Sequence, residues 1–178
     1  MSRWPVSSPA RMFRMTQVAP NPRTDRTTGH RRMMRVAMRF LLAGLGGSAL
    51  LIALSILLLG AGATAGVGER AFEMLSGWKG LPSPSWPPST DSELRFYSAL
   101  WGGYGVMLLC AARNLSRWDG RVPGLAAIFF IGGVGRALSW VMVGAPHPFF
   151  LVLMAIELIL PPVIIVLWSG ARNNTASR

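Results

Sequence analysis

Two ionisable residues lie inside stretches otherwise made for lipid. Arg136 sits in the apolar run from Pro123 to Val143, and Glu157 in the run from Phe149 to Trp168. A charge at membrane depth costs about 2.5–3.5 kcal/mol on insertion scales, so such side chains turn away from the lipid and take partners. A guanidinium and a carboxylate can form a charge-assisted hydrogen bond. A buried carboxylate can also carry a proton, and an arginine can hold an anionic or carbonyl head group. Tyr97, Trp101 and Tyr104 share one helical face and offer aromatic rings and hydroxyls for the same site.

The spacing predicts that these groups meet. Arg136 precedes Gly144 by eight residues, about 12 Å of helix, and Glu157 follows Pro148 by nine, about 13 Å. A turn as short as Gly144-Ala145-Pro146-His147-Pro148 makes the two helices antiparallel neighbours, so both side chains arrive at one depth. Tyr104 lies ten residues past Leu94, about 15 Å from the same side. We expect a Tyr104–Arg136–Glu157 cluster in the outer half of a membrane. Pro161 and Pro162 add acceptors, because a helical proline displaces the carbonyl four residues back, here those of Glu157 and Leu158. Arg136, with five N–H donors, could serve carboxylate and carbonyl together. The cluster reads as a lock on helix register or as part of a substrate or proton path. The lock is favoured, because no second acidic residue lies deep enough to extend a relay.

The elements that must position the pair are four apolar runs, at about 36–60, 94–112, 122–143 and 149–168. Each is close to the ~20 residues that cross a bilayer as a helix. None alternates as a strand would. The expected fold is therefore all-α, an integral membrane four-helix bundle over residues 35–170, with a basic N-terminal tail (1–34) and a short cytoplasmic tail (171–178). The tail is rich in Pro, Ser, Thr and Arg without apolar periodicity, which predicts disorder. Met33 and Met34, just before the first run, offer an alternative start. The first run ends in Ala61-Gly62-Ala63-Thr64-Ala65, which resembles a signal-peptidase site. Its length, beyond the ~7–15 residues of a signal h-region, favours a retained anchor.

Composition agrees. The chain has 178 residues, 51% hydrophobic and 14% charged, with net charge +11. Soluble domains carry about 25% charged residues. The arginines cluster before the first run, and others lie between the second and third runs and after the fourth. Positive-inside counting puts both termini in the cytoplasm. That placement speaks against a nucleic-acid partner and for the lipid bilayer. Cys110 is the one cysteine, His30 and His147 are far apart, and no P-loop, nucleophile elbow or dinucleotide fingerprint is present. We expect no enzyme, no metal and no cofactor.

Local signals refine the helices. Thr90 with Glu93 reads as a capping box, and Asp91 with Arg95 as an i, i+4 ion pair, placing these four residues at the membrane interface. Small residues mark expected packing faces: Gly44, Gly47, Ser48 and Ser55 in the first helix; Ser98, Gly102 and Gly105 in the second; Gly132, Gly133, Arg136, Ser139 and Trp140 in the third. Ala61 to Glu93 reads as a long outer loop, and His147 as a rigid turn residue.

Several of these stretches carry a family resemblance: Asp91-Ser92-Glu93-Leu94-Arg95-Phe96-Tyr97, Trp101-Gly102-Gly103-Tyr104-Gly105, Gly132-Gly133-Val134-Gly135-Arg136-Ala137-Leu138-Ser139, Gly144-Ala145-Pro146 and Glu157-Leu158. Here the chain resembles a bacterial membrane family, domain-of-unknown-function family 4345, which is distantly similar to DoxX-like four-helix membrane proteins. The resemblance implies a four-helix bundle of the inner membrane and no assigned activity. Three functions remain in view: an accessory or interaction bundle, partnered by a second copy or another membrane protein; a binder of a lipid or quinone-like amphiphile through Tyr97, Trp101, Tyr104 and Arg136; and, less favoured, a proton-coupled transporter with Glu157 as carrier.

Overall fold

The computed structural model describes residues 22–172. It is all-helical, with no strand among the described residues. The helices are α1 (Pro22–Leu59), α2 (Ala61–Ser76), α3 (Pro88–Arg113), α4 (Leu115–Trp118), α5 (Val122–Val143) and α6 (Pro148–Arg172), and a 3-10 turn at Asp119–Arg121 joins α4 to α5. Three segments are long and apolar enough to cross a membrane: Gly29–Leu59, Leu115–Val143 and Pro148–Arg172. Only 17–22% of the most apolar stretch of each is buried within the protein, so most of that surface faces outward. Apolar surface left open on this scale marks contact with lipid or another protein.

The second expected span forms as α3 but is not among these three segments. Tyr97, Trp101, Tyr104 and three glycines dilute its apolar content.

The four long helices run alternately up and down. Gly170 near the end of α6 packs on Met34 of α1, so both ends of the described chain lie at one end of the fold, here the tail end. At the opposite end lie α2, the strap that follows it (residues 77–87), and the α5–α6 turn. α1 and α3 pack face to face through glycine. A Cβ on Gly46 would sit 2.8 Å from the Gly105 carbonyl oxygen, and one on Gly105 would sit 2.9 Å from that of Gly46. The contact face of α1 is thus Gly46, Leu50 and Ala53. Gly44 and Gly47, expected there, have no neighbour within 4 Å of a modest side chain. α6 packs between α1 and α5, and α5 meets α3 through side chains, the Trp101 and Tyr104 rings against Phe129, rather than through close backbone approach. On α5 the buried residues are Val122, Leu125, Ala126, Phe129 and Gly133, and Arg136 continues the Phe129–Gly133 face at i+7. Gly132 meets open space, and Ser139 and Trp140 are exposed.

Three further boundaries differ from expectation. α1 begins at Pro22, so residues 22–34 of the tail expected to be disordered are helical in backbone. Extending an existing helix adds one hydrogen bond per residue without a new nucleation cost, and arginine and methionine favour helix. Residues 1–21 and 173–178 lie outside the described residues. The second departure is α2, which occupies half of what reads as an outer loop. Its alanine, glutamate and methionine residues sustain a helix once Gly60, at φ 87°, has turned the chain. The third is the start of α3.

Candidate functional site

The α5–α6 hairpin brings the two membrane-depth charges together. Arg136 Nε donates to Glu157 Oε2 at 2.7 Å. Gly133, one turn before Arg136, makes the approach possible, since a Cβ there would lie 3.0 Å from Glu157 Cβ and 2.9 Å from Leu158 Cδ2. The Glu157 side chain is 8% exposed and that of Arg136 40%. The carboxylate is thus enclosed, while part of the guanidinium reaches the protein surface. Its carbon also lies 5.9 Å from the centroid of the Phe150 ring, in cation–π range. α6 runs unbroken through Pro161 and Pro162, and the described partners of Arg136 are the carboxylate and this ring.

Tyr104 does not join them. Its hydroxyl donates to the Leu125 carbonyl at 2.8 Å. Leu125 precedes Arg136 by eleven residues on α5, about 16 Å along the axis. The reason is the start of α3. Counted from Pro88 rather than Leu94, Tyr104 sits about 9 Å further along its helix than the apolar run alone implies. Its ring stacks on Trp101 at 5.1 Å and lies 6.5 Å from Phe129. With Leu42, Leu108, Val122 and Ile164 it belongs to the packed core of the tail half. Tyr97 is exposed and touches Phe96 edge-on. The expected five-residue cluster therefore separates into an ion pair, an aromatic core and an outward-facing tyrosine.

The four expected capping residues divide as well. α3 starts at Pro88, with Pro87 as its N-cap and no side-chain cap. Thr90 and Glu93 form no capping box. Proline suits the first helical turn because its ring presets φ and its missing N–H is not needed there. Asp91 and Arg95 do pair, Nε to Oδ2 at 2.7 Å, and they do more. Arg95 Nη1 donates to the Leu57 carbonyl at the end of α1, while Asp91 Oδ1 accepts weakly from Ala61 N at the start of α2, at 3.4 Å. One ion pair on α3 thus ties down both sides of the Gly60 break. The hydrogen bond from Arg95 holds the Asp91 carboxyl below its ordinary range, against desolvation.

A second polar cluster was not foreseen. Glu69 and Glu73 are one turn apart on α2 and both reach for the strap. Glu69, 4% exposed, accepts from the hydroxyl and the N–H of Ser83. Glu73 Oε1 accepts from Gly80 N and pairs with His147 Nε2, each at 3.2 Å. His147 Nδ1 accepts the N–H of Phe149, so the ring proton sits on Nε2 and is donated to Glu73. The His147 and Gly80 hydrogen bonds hold the Glu73 carboxyl below its ordinary range. Gly80 is pressed against His147 and Pro148 so closely that a side chain there would overlap both. The readable signal was the i, i+4 spacing of Glu69 and Glu73. That spacing belongs to a helix, whereas the loop expected there carries no such period.

Residues 37–168 match the family described as a domain of unknown function (DUF4345). That match covers most of the chain, which therefore belongs to this family. No curated protein and no solved structure matches it.

Proposed function

We propose that this DUF4345 chain is a non-enzymatic multi-pass protein of the cytoplasmic membrane. Four helices, α3 included, cross as a bundle with both termini cytoplasmic, and the protein acts as an accessory or interaction partner for other membrane components. The observation that carries the reading is the Arg136–Glu157 pair, a single hydrogen-bonded contact between the arms of one tight hairpin. Among the described residues, no further acidic side chain is bonded to its enclosed carboxylate to pass a proton on. A pair of this kind fixes helix register. The basic clusters at Arg31, Arg32, Arg35 and Arg39 and at Arg113, Arg117 and Arg121 support the orientation.

The test is expression of Arg136→Ala beside the exchanged pair, Arg136→Glu with Glu157→Arg. The single variant should lower the amount of folded protein in the membrane, and the exchange should restore part of it. Normal accumulation of Arg136→Ala together with loss of a cellular phenotype would instead assign the pair a direct functional role.

A further inference from the structure

An open cleft of about 380 Å³ lies at the Gly60 break, bounded by Leu59, Ala63, Ser85, Trp86, Asp91 and Arg95. Its size falls within the range of small-molecule sites, about 300–1,000 Å³. Its level follows from α1, whose apolar candidate span ends at Leu59, the residue that forms one wall. If α1 crosses the membrane, as the reading above holds, the cleft stands where head groups lie. Trp86, 42% exposed, stands over Gly62 at that level, and tryptophan favours the membrane–water interface.

The lining carries both signs of charge within one cleft. Arg95 uses Nε on Asp91 and Nη1 on Leu57, while Nη2 makes no hydrogen bond among the described residues. It points over Gly60, 3.0 Å from where a Cβ would stand. Asp91 Oδ1 has only the long contact from Ala61 N. A simple anion would meet Arg95 but also the Asp91 carboxylate, and a simple cation would meet the reverse. A zwitterion with its charges a few bonds apart satisfies both: a phosphate against Arg95 Nη2, and an ammonium between Asp91 Oδ1 and the face of Trp86. A primary ammonium fits better than a quaternary one, because it has N–H donors for the carboxylate. We propose that this cleft binds the phosphoethanolamine head of a membrane lipid.

The test is reconstitution of the full chain into nanodiscs holding equal amounts of phosphatidylethanolamine, phosphatidylcholine and phosphatidylglycerol with identical acyl chains. Native mass spectrometry then counts the lipids retained on the released protein. The ethanolamine lipid should be retained about tenfold over both the choline and the glycerol lipid, equal retention with the choline lipid overturning the ethanolamine assignment, and Ala63→Phe, which fills the cleft, should abolish the preference. Val141→Phe, on the outward face of α5, should leave it unchanged. Soluble glycerophosphoethanolamine at matched concentration should not displace the lipid, and displacement would move the source from the bilayer to a free ester and overturn the lipid assignment. Equal retention of all three heads overturns the proposal, as does a preference that survives Ala63→Phe. The head-group series on the unaltered chain decides the matter even where Ala63→Phe does not fold. A chain that fails to enter nanodiscs counts against the membrane reading, whereas one that enters and shows no preference counts against the cleft alone.

Discussion

The tail half of the molecule is held mainly by packing, with a few hydrogen bonds such as Tyr104 to Leu125 and Trp168 to Asp119, and the opposite half mainly by hydrogen bonds. Around Tyr104, Leu108, Val122 and Phe129 the helices meet through rings and aliphatic side chains that are nearly all buried. Around α2 and the strap, one ring contact, Phe72 on Phe149, stands beside the hydrogen bonds of Glu69 with Ser83, Glu73 with Gly80 and His147, and Arg95 with Leu57. The Arg136–Glu157 pair lies between them. In the proposed membrane setting, lipid supplies no hydrophobic drive for helix association, so close packing has to hold the tail half. The strap half lies where helices end and backbone groups lose their intrahelical partners, so its side chains are spent on satisfying that backbone. Two modes of attachment predict two kinds of failure, global in one half and local in the other.

Breaking the tail half should have the largest effect. Tyr104→Ala removes a ring stacked on Trp101 and the hydroxyl bonded to the Leu125 carbonyl. Loss of a buried aromatic side chain costs about 3–5 kcal/mol, so the variant should melt as a whole at lower temperature. Tyr104→Phe keeps the ring and loses one hydrogen bond, a cost of about 1 kcal/mol. Thermal unfolding in detergent followed by circular dichroism separates the two. Equal effects would place the stabilisation in the hydroxyl rather than in packing.

At the boundary the two partners should respond unequally. Arg136→Ala leaves an enclosed carboxylate without its donor, whereas Glu157→Gln keeps an oxygen acceptor for Arg136. Removing one partner of a buried pair costs about 3–5 kcal/mol. Because the Arg136 side chain is 40% exposed, the lower end applies. Arg136→Ala should therefore melt well below Glu157→Gln, and reversal of that order would mean that Glu157 is not enclosed.

In the strap half the effect should be smaller and local. His147→Ala removes the donor to Glu73 Oε1 and opens space beneath Gly80. Hydrogen exchange across residues 77–87 should quicken while exchange at Leu108 and Ala111 stays slow, as for a locally opening unit. Uniform acceleration would show that the halves are one cooperative unit.

How far this division could be read from sequence depends on what each feature was counted from. The bounds of α5, Val122–Val143, coincide with the expected run, and the Arg136–Glu157 register followed from counting away from a short turn. The same arithmetic failed for Tyr104 because α3 starts at Pro88, ahead of its apolar run. The proline pair Pro87-Pro88, six residues ahead of Leu94, is where the helix starts. α2 was hidden by its glycines and by its resemblance to a cleavage site, and with it went Glu69, Glu73 and the partner of His147. The glycine contact between α1 and α3 was legible on α3, from Gly102 and Gly105. On α1 several glycines competed, and only tertiary packing selects Gly46.

Acid should act most on the strap half, where two carboxyls are held low by hydrogen bonds, and it gives the mildest test of the comparison. The carboxyls of Glu73 and Asp91 are held below their ordinary values of 4.5 and 3.8 by hydrogen bonds from His147 and Gly80 and from Arg95. A carboxyl with a lowered folded value stabilises the fold above its unfolded value, and that contribution disappears as pH falls through the folded one. What these two carboxyls contribute to the strap and the Gly60 break should therefore hold above about pH 4.5 and fall away progressively below it. Limited proteolysis with an acid-active protease, between pH 5 and about pH 3, should cut first within residues 77–87. Glu73→Gln, which has no proton to gain, should flatten most of that dependence, because its strap is already weakened at neutral pH. Acid cleavage that begins instead in the α4–α5 connection, beside the tail-half core, would mean that the charged groups of the strap do not set the acid limit.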